Sequence, residues 1–439
     1  MTPLRLSGHW QWDGEYAALS WLREQGADHG RRLLLGVDHT PASAVLVSAA
    51  LRLGLVVIVA PRRATRDELQ RTIAALRPAL LVSASAHPLA QCAEVQLAPA
   101  HWPGSSAAVG EAWQGSLLVC TSGTTGAPRW VRLDAPQIRA ALAAQCAALQ
   151  LSSDDCWSCP LPLDHIAGLM TALRGLVSGC RVELEPTPSA EATGWSAVPT
   201  QLYRVLENGL RPPPRLRLAL IGGGPLDPSL AARARAAGWP IAESYGMSEM
   251  GGTVAIDGRP LPGIEVRIAD DGRIALRGPM CFAGYEDPEG FRPRDGWHVT
   301  DDLGSWNAGR LQILGRVSER IITGGEKVDP GEVEAVLRAH PAVAEVCVVG
   351  VPDPAWGETV AAALVVRRGA ALADIEAYAR LHLAGHKRPR RWRLVAELPR
   401  NALGKVLRQR VRAWLSDDSA AGDGASSDGH ERSSTPADP

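Results

Sequence analysis

Chemistry first shows in the run Cys120-Thr121-Ser122-Gly123-Thr124-Thr125-Gly126-Ala127-Pro128-Arg129, where hydroxyls, glycines and a cation follow apolar Leu117-Leu118-Val119. The triplet reads as a short buried strand and the turn after it as a cradle for an anion. Gly123 and Gly126 let backbone N–H groups turn inward, and Ser122, Thr124 and Thr125 add hydroxyl donors suited to phosphate oxygens. Taken alone, such a stretch is as readily a surface turn. Four further segments bear on that choice: Glu243-Ser244-Tyr245-Gly246-Met247-Ser248-Glu249, Trp297-His298-Val299-Thr300-Asp301-Asp302-Leu303-Gly304, Gly315-Arg316 through Gly324-Gly325-Glu326-Lys327, and Pro399-Arg400-Asn401-Ala402-Leu403-Gly404-Lys405.

In order and spacing, these five segments together resemble the adenylate-forming superfamily of acyl-CoA synthetases, peptide-synthetase adenylation domains and luciferases, up to about residue 412. Attack of a carboxylate on the α-phosphate of ATP brings anions together, so the site needs positive charge and aligned donors. The resemblance implies that Thr121, Ser122, Gly123, Thr124, Thr125 and Gly126 close on the β- and γ-phosphates, with Arg129 where the family commonly has Lys. Glu249 matches the magnesium-binding carboxylate, Ser248 keeps the hydroxyl of the more frequent Thr, and Ser244 and Gly246 belong to the same nucleotide-facing stretch. Tyr245 would stack on adenine beside Gly222-Gly223-Gly224. Asp302 resembles the acceptor of the ribose hydroxyls and Arg316 its partner, although Asp301 replaces the usual Gly before it.

By the same resemblance Lys405 pairs with the acyl carboxylate and bridging oxygens during adenylation, whereas a lone lysine would be merely solvated. Gly324 and Gly325 resemble the second-step motif, whose backbone lines a tunnel for the pantetheine arm of CoA after a domain rotation. Ser318 stands at the hinge.

The activated acid is approached through Pro160-Leu161-Pro162-Leu163-Asp164-His165-Ile166-Ala167-Gly168. Its H-x-x-G implies His165 near the acyl carboxylate; the other reading is that His165 caps a helix. In the helix that follows, Ile166, Leu169, Leu173 and Leu176 form an apolar stripe, and Arg174 beside it either snorkels outward or binds a second anion. Residues 165–176 and Val198-Pro199-Thr200-Gln201-Leu202 look like the o-succinylbenzoate-CoA ligases of menaquinone synthesis. That branch activates one carboxylate of a diacid, and its match makes Arg174 and Thr253 the partners of the other. The partners implied are a small carboxylic acid, ATP with Mg2+, and CoA. Rival readings are another aryl or medium-chain acid ligase, an enzyme loading a carrier protein, and a non-catalytic nucleotide-binding protein.

The elements that must position these residues read as α/β. Strands over 33–37 and 55–60 alternate with helices over 41–51 and 66–76, which suggests a doubly wound layer. Pro136 opens a helix, a strand over 216–221 ends in the glycine triplet, and Asp227-Pro228 starts another helix. From Gly263 short strands follow, including a hairpin from 266–268 to 274–276 across Asp270-Asp271-Gly272. Helices over 331–339 and 371–383 with strands over 343–351, 359–366 and 392–395 make a small α+β unit. The expected organisation is a large N-terminal domain over 1–315, a small mobile C-terminal lid over 316–416 and a disordered tail over 417–439.

Composition narrows the class. A net charge of −1 over 439 residues argues against a nucleic-acid or anionic-membrane surface. Apolar runs are too short to span a bilayer and no leader pattern opens the chain, so a cytoplasmic protein is expected. Eight scattered cysteines fit reduced thiols, and the C-x-x-C of Cys156 and Cys159 reads as core. A homo-oligomer is left open.

Overall fold

The computed structural model describes residues 14–84, 87–91, 95–98, 113–122, 128–367, 369, 371–400 and 406–417. The chain divides into two compact units, Met1–Ile313 and Leu314–Pro439.

In the first unit, runs of Leu, Val and Ile build a largely parallel sheet. Arg32–Gly36 lies between Val56–Ala60 and Leu80–Ser83, and Val56–Ala60 pairs on its other side with Ser116–Ser122. Both faces of these strands are buried, which is why their sequence is apolar without alternation. Leu33 and Leu35 enter one core cluster with the Pro41–Arg52 helix, while Leu34 enters another with Leu69 and Leu76 of the Arg66–Leu76 helix. That second helix starts on a capping box in which the Thr65 hydroxyl accepts from Glu68 N and the Glu68 carboxylate from Thr65 N.

Three antiparallel strands extend this sheet: Pro128–Asp134, then Gly284–Asp287, then Gly290–Pro293. The last two were legible only as short strands after Gly263, and the structure puts them on the first sheet instead. Glu286 explains their placement. Its carboxylate is buried between the guanidiniums of Arg32 and Arg132, and a buried charge left unpaired there would be strongly destabilising.

A second sheet runs Cys156–Ser158, Gly194–Ala197, Leu218–Ile221 and Ile241–Met247 in parallel, and then Gly252–Ile256 turns back antiparallel. Trp157 and Trp195 are its largest fully buried side chains. The strand expected from residue 216 begins at Leu218, after a turn closed by Leu216 N on Pro213 O. The helices at Pro136 and Pro228 form as read, over Ala135–Leu149 and Pro228–Ala236, the second capped by Asp227 on Ser229 N and Leu230 N. A third, four-stranded sheet contains the hairpin Glu265–Ile268 to Arg273–Arg277.

The second unit is an antiparallel pair, Val343–Asp353 with Gly357–Val366, joined in parallel by Arg391–Leu394 and flanked by helices Pro330–Arg338, Leu372–His382 and Arg408–Asp417. Its two faces are separate cores: Val346 and Val348 pack toward one cluster, Cys347 and Val349 toward the other. Arg408 ties them together by donating to Val348 O at 2.6 Å and pairing with Glu334 at 2.7 Å and Glu319 at 3.1 Å. The expected tail over 417–439 lies, beyond Asp417, outside the described residues. No helix of the described residues is long and apolar enough to cross a membrane.

Candidate functional site

Several of the expected nucleotide residues sit at or just beyond the carboxyl ends of parallel strands, where open α/β sheets place ligands. Thr121 and Ser122 close the Ser116–Ser122 strand, and Arg129 follows on its antiparallel neighbour, directly across from Thr121. Gly123, Thr124, Thr125 and Gly126 lie outside the described residues. Gly222, Gly223 and Gly224 follow the Leu218–Ile221 strand; Gly223 has φ +79°, which favours glycine. Ser244, Tyr245 and Gly246 lie on the adjacent Ile241–Met247 strand. Gly246 is required there, since a Cβ would fall 2.4 Å from Gly252 O.

Tyr245 and Asp302 are brought together. The Tyr245 phenol donates to Asp302 Oδ2 at 2.8 Å, and Asp302 is buried with its N–H on the Thr300 hydroxyl. The ladder skips at this point: Ala275 faces Val299 while Arg273 faces Leu303, so Thr300 to Asp302 bulge out of the strand. The bulge re-aims Asp302 and accommodates the side chain of Asp301 where the family has glycine.

Ser248 and Glu249 form a single 3-10 turn, Ser248–Met250, held from several sides. Gln145 Nε2 donates to Gly251 O at 2.9 Å, and Phe282 N donates to Glu249 O at 2.7 Å. The Glu249 carboxylate accepts the Tyr285 phenol at 2.9 Å. Beside it opens a cleft of about 440 Å³ lined by Arg129, Tyr285, Arg292, Arg294 and His298 among others. The Arg129 guanidinium lies 5.9 Å from the Tyr285 ring centre. Tyr285, which the sequence reading missed, is thus joined to both charged groups. Burial and the Glu249 carboxylate push its phenol above the usual tyrosine range, so it stays a donor. Burial lowers His298, keeping the imidazole neutral at pH 7.

Glu249 suits a hard cation. Among the described residues no group of three or more acidic, His or Cys side chains is placed to hold a metal ion, so a divalent ion at Glu249 would need phosphate oxygens and water for its remaining ligands. That is the usual donor set for magnesium on a nucleotide.

The residues expected to face the acid lie on and beside the second sheet and the Ile166–Ser178 helix. His165 is the N-cap residue of this helix, but its side chain makes no capping bond. The loop before it is fixed by Arg62 N donating to Asp164 Oδ2 at 2.9 Å. Arg174 does not snorkel: it is 2 % exposed. Its guanidinium lies 4.6 Å from the Trp157 ring centre, and one terminal nitrogen donates to Ser196 Oγ at 3.3 Å. Its Nε has no hydrogen-bond partner. The ionisable groups acting on it are the thiols of Cys146, Cys159 and Cys180, all raised by burial and therefore protonated. Burial lowers the guanidinium below its ordinary value, as expected of a cation without a counter-charge. Cys156 and Cys159 are buried and free, with Cys156 pushed up to about 12. Thr253 accepts from the Ser244 hydroxyl at 3.4 Å, on the strand next to Tyr245. Trp157 and Ser196 were also missed; a tryptophan and a serine inside apolar strands carry no motif signal.

Arg316, Gly324 and Gly325 belong to the second unit. Gly324 and Gly325 turn the hairpin from Ile321–Thr323 to Glu326–Val328, and the backbone of Gly324 donates to Trp356 O at 2.9 Å. Lys405 lies outside the described residues, between Arg400 and Val406, which pair as an isolated bridge.

The family model for AMP-binding enzymes matches residues 17–286, and that for the AMP-binding enzyme C-terminal domain matches 332–405. A 2-succinylbenzoate–CoA ligase of Bacillus cereus is 31 % identical over 442 residues, covering 90 % of this chain and 91 % of that protein. The o-succinylbenzoate CoA synthetase of Bacillus subtilis in complex with the acyl-adenylate intermediate OSB-AMP superposes with a TM-score of 0.77 at 27 % identity, covering 91 % of both chains. The same enzyme in complex with ATP and magnesium ion gives 0.77 at 26 % identity, over 90 % of this chain and 92 % of that one.

Proposed function

The chain belongs to the AMP-binding enzyme family, and on that premise we propose that it is an AMP-forming ligase that activates o-succinylbenzoate with ATP and passes the acyl group to CoA. Arg174 is the observation that carries the choice of acid. A buried guanidinium with an unpartnered Nε, laid on Trp157, is costly unless an anion meets it. A monoacid commits its only carboxylate to the phosphate, whereas a diacid brings a second one. The named relatives support the same acid.

In the first step one carboxylate oxygen attacks the α-phosphorus, the bond to the bridging oxygen breaks and pyrophosphate leaves. In the second the CoA sulfur attacks the acyl carbon, the carbon–oxygen bond to phosphate breaks, AMP leaves and the thiol proton passes to solvent. Arg129 and the residues over 121–126 would grip the outer phosphates, Asp302 with Arg316 as its partner the ribose hydroxyls, and Tyr245 would stack on adenine. Glu249 would hold magnesium, which when bound offsets the charge of the phosphate oxygens. His165 would face the acyl carboxylate. Arg174, backed by Ser196, would hold the second carboxylate, with Thr253 nearby in the same role. Lys405 would stabilise charge on the reacting oxygens, and the unit from Leu314 onward would act as the lid, bringing Gly324 and Gly325 to the pantetheine arm. The setting proposed is the cytoplasm.

The test is formation of succinylbenzoyl-CoA by purified protein with ATP, magnesium and CoA. Ready turnover of plain benzoates with none of the diacid would sink the reading. For Lys405→Ala, adenylation is expected to fall by about 100-fold or more while thioester formation from supplied acyl-adenylate survives. Equal loss of both steps would contradict its role.

A further inference from the structure

We propose that Tyr285 is a positioning residue that couples the two charges meant for the polyphosphate, orienting the Glu249 carboxylate through its phenol and meeting the Arg129 guanidinium with the same side chain. The inference rests on the reading of Glu249 as the magnesium carboxylate and goes beyond it, to what fixes that carboxylate.

Tyr285 is itself held rigidly. It lies between Gly284 and Glu286 on a strand locked by the buried ion pairs of Glu286 with Arg32 and Arg132. Gly284 cannot grow, since a Cβ would lie 2.1 Å from Arg292 O on the paired strand. The Phe282 ring meets the Tyr285 ring edge-on at 4.8 Å and the His298 ring at 5.0 Å, while Phe282 N holds the Glu249 backbone at 2.7 Å. Backbone and carboxylate of Glu249 are therefore both referred to the one segment from Phe282 to Tyr285.

A glutamate with three side-chain torsions would otherwise sample several directions. One hydrogen bond at 2.9 Å from the Tyr285 phenol selects among them. Magnesium tolerates little error in ligand geometry, so an outer group that orients its carboxylate governs affinity. The same residue meets Arg129, whose guanidinium lies 5.9 Å from the ring centre, is drawn by the π face and also acts on the phenol. One side chain thus sets the relative placement of a metal ligand and a phosphate-binding cation that are 120 residues apart in sequence, Arg129 to Glu249.

Two substitutions separate these roles. Tyr285→Phe removes the phenol and keeps the ring; Tyr285→Leu removes both. Manganese binding to the full-length protein with ATP, read by electron paramagnetic resonance, reports the carboxylate. ATP binding in EDTA, read by calorimetry, reports the cation. Tyr285→Phe is expected to weaken manganese about 10-fold and leave metal-free ATP binding within about 2-fold. Tyr285→Leu should do both, with metal-free ATP binding weakened by about 2- to 5-fold. In pyrophosphate exchange, excess magnesium should restore the kcat of Tyr285→Phe, which a merely structural role would not allow. Wild-type manganese affinity in Tyr285→Phe, with Glu249→Gln impaired, overturns the proposal alone. Wild-type affinity in Glu249→Gln overturns the magnesium assignment and the proposal with it.

Discussion

Arg129 and Arg174 are both guanidiniums laid against aromatic rings, and almost everything else about them differs. Arg129 is exposed on the rim of an open cleft, 5.9 Å from the Tyr285 ring, among other arginines. Arg174 is sealed against Trp157 at 4.6 Å, with one hydroxyl and protonated thiols for company. An exposed cation in high dielectric attracts a highly charged ligand and releases it again, with an affinity that salt erodes. A buried cation discriminates: the wrong ligand leaves it unpaired, and the penalty is large because water cannot substitute. With the two arginines in their proposed roles, the grip on nucleotide is generic and reversible, while the choice of acid is concentrated in one interior charge.

The sharpest way to break this contrast is Arg174→Ala. For the diacid, kcat/KM is expected to fall by about 100-fold, as for a lost buried charge-assisted hydrogen bond, and for a monoacid by less than about 3-fold. Equal losses for the two acids would show that Arg174 serves packing instead. Arg129→Lys keeps the charge and loses the planar fork, so the KM for ATP should rise by only about 3-fold, and more steeply with added salt than the KM for the diacid does. Salt-independence would place Arg129 away from the phosphates.

The smallest effect concerns the imidazoles. Burial holds His39, His87 and His298 below the ordinary histidine value of 6.5 in the folded chain. Between that value and their lower folded values the unfolded chain binds more protons. Their contribution to stability is therefore intact above about pH 6.5 and lost as pH falls below it. A thermal scan should show the Tm at pH 5.5 lower than at pH 7.5, and His298→Gln should reduce the drop by about 2 °C.

The same contrast explains what the sequence could disclose. Tyr245, Glu249 and Asp302 stood out because polar residues on glycine-bearing loops at strand ends form ordered motifs, although only the structure shows the phenol of Tyr245 meeting Asp302 across 57 positions. Tyr285 was hidden because its strand joins a sheet begun some 250 residues earlier, held there by Glu286 and Arg32. Trp157 and Ser196 were hidden because each looks like ordinary strand interior until the two strands are set side by side. Arg174 was read as either snorkelling or anion-binding; helical periodicity placed it beside the apolar face but could not say that the neighbouring sheet would close over it. The strand expected at Leu216 and found at Leu218 shows the usual weakness at element ends, where a local turn competes with the ladder.

Ser196 has one oxygen, and it accepts from both the Trp157 indole at 2.8 Å and the Arg174 guanidinium at 3.3 Å. Both lone pairs of its hydroxyl are then occupied, so the three side chains form a single packed unit. A descendant retooled for monoacids that discarded the arginine alone would leave the tryptophan without its ring partner and the serine with a vacated lone pair in a dry interior. Divergence of acid preference along this lineage should therefore favour joint replacement at positions 157, 174 and 196.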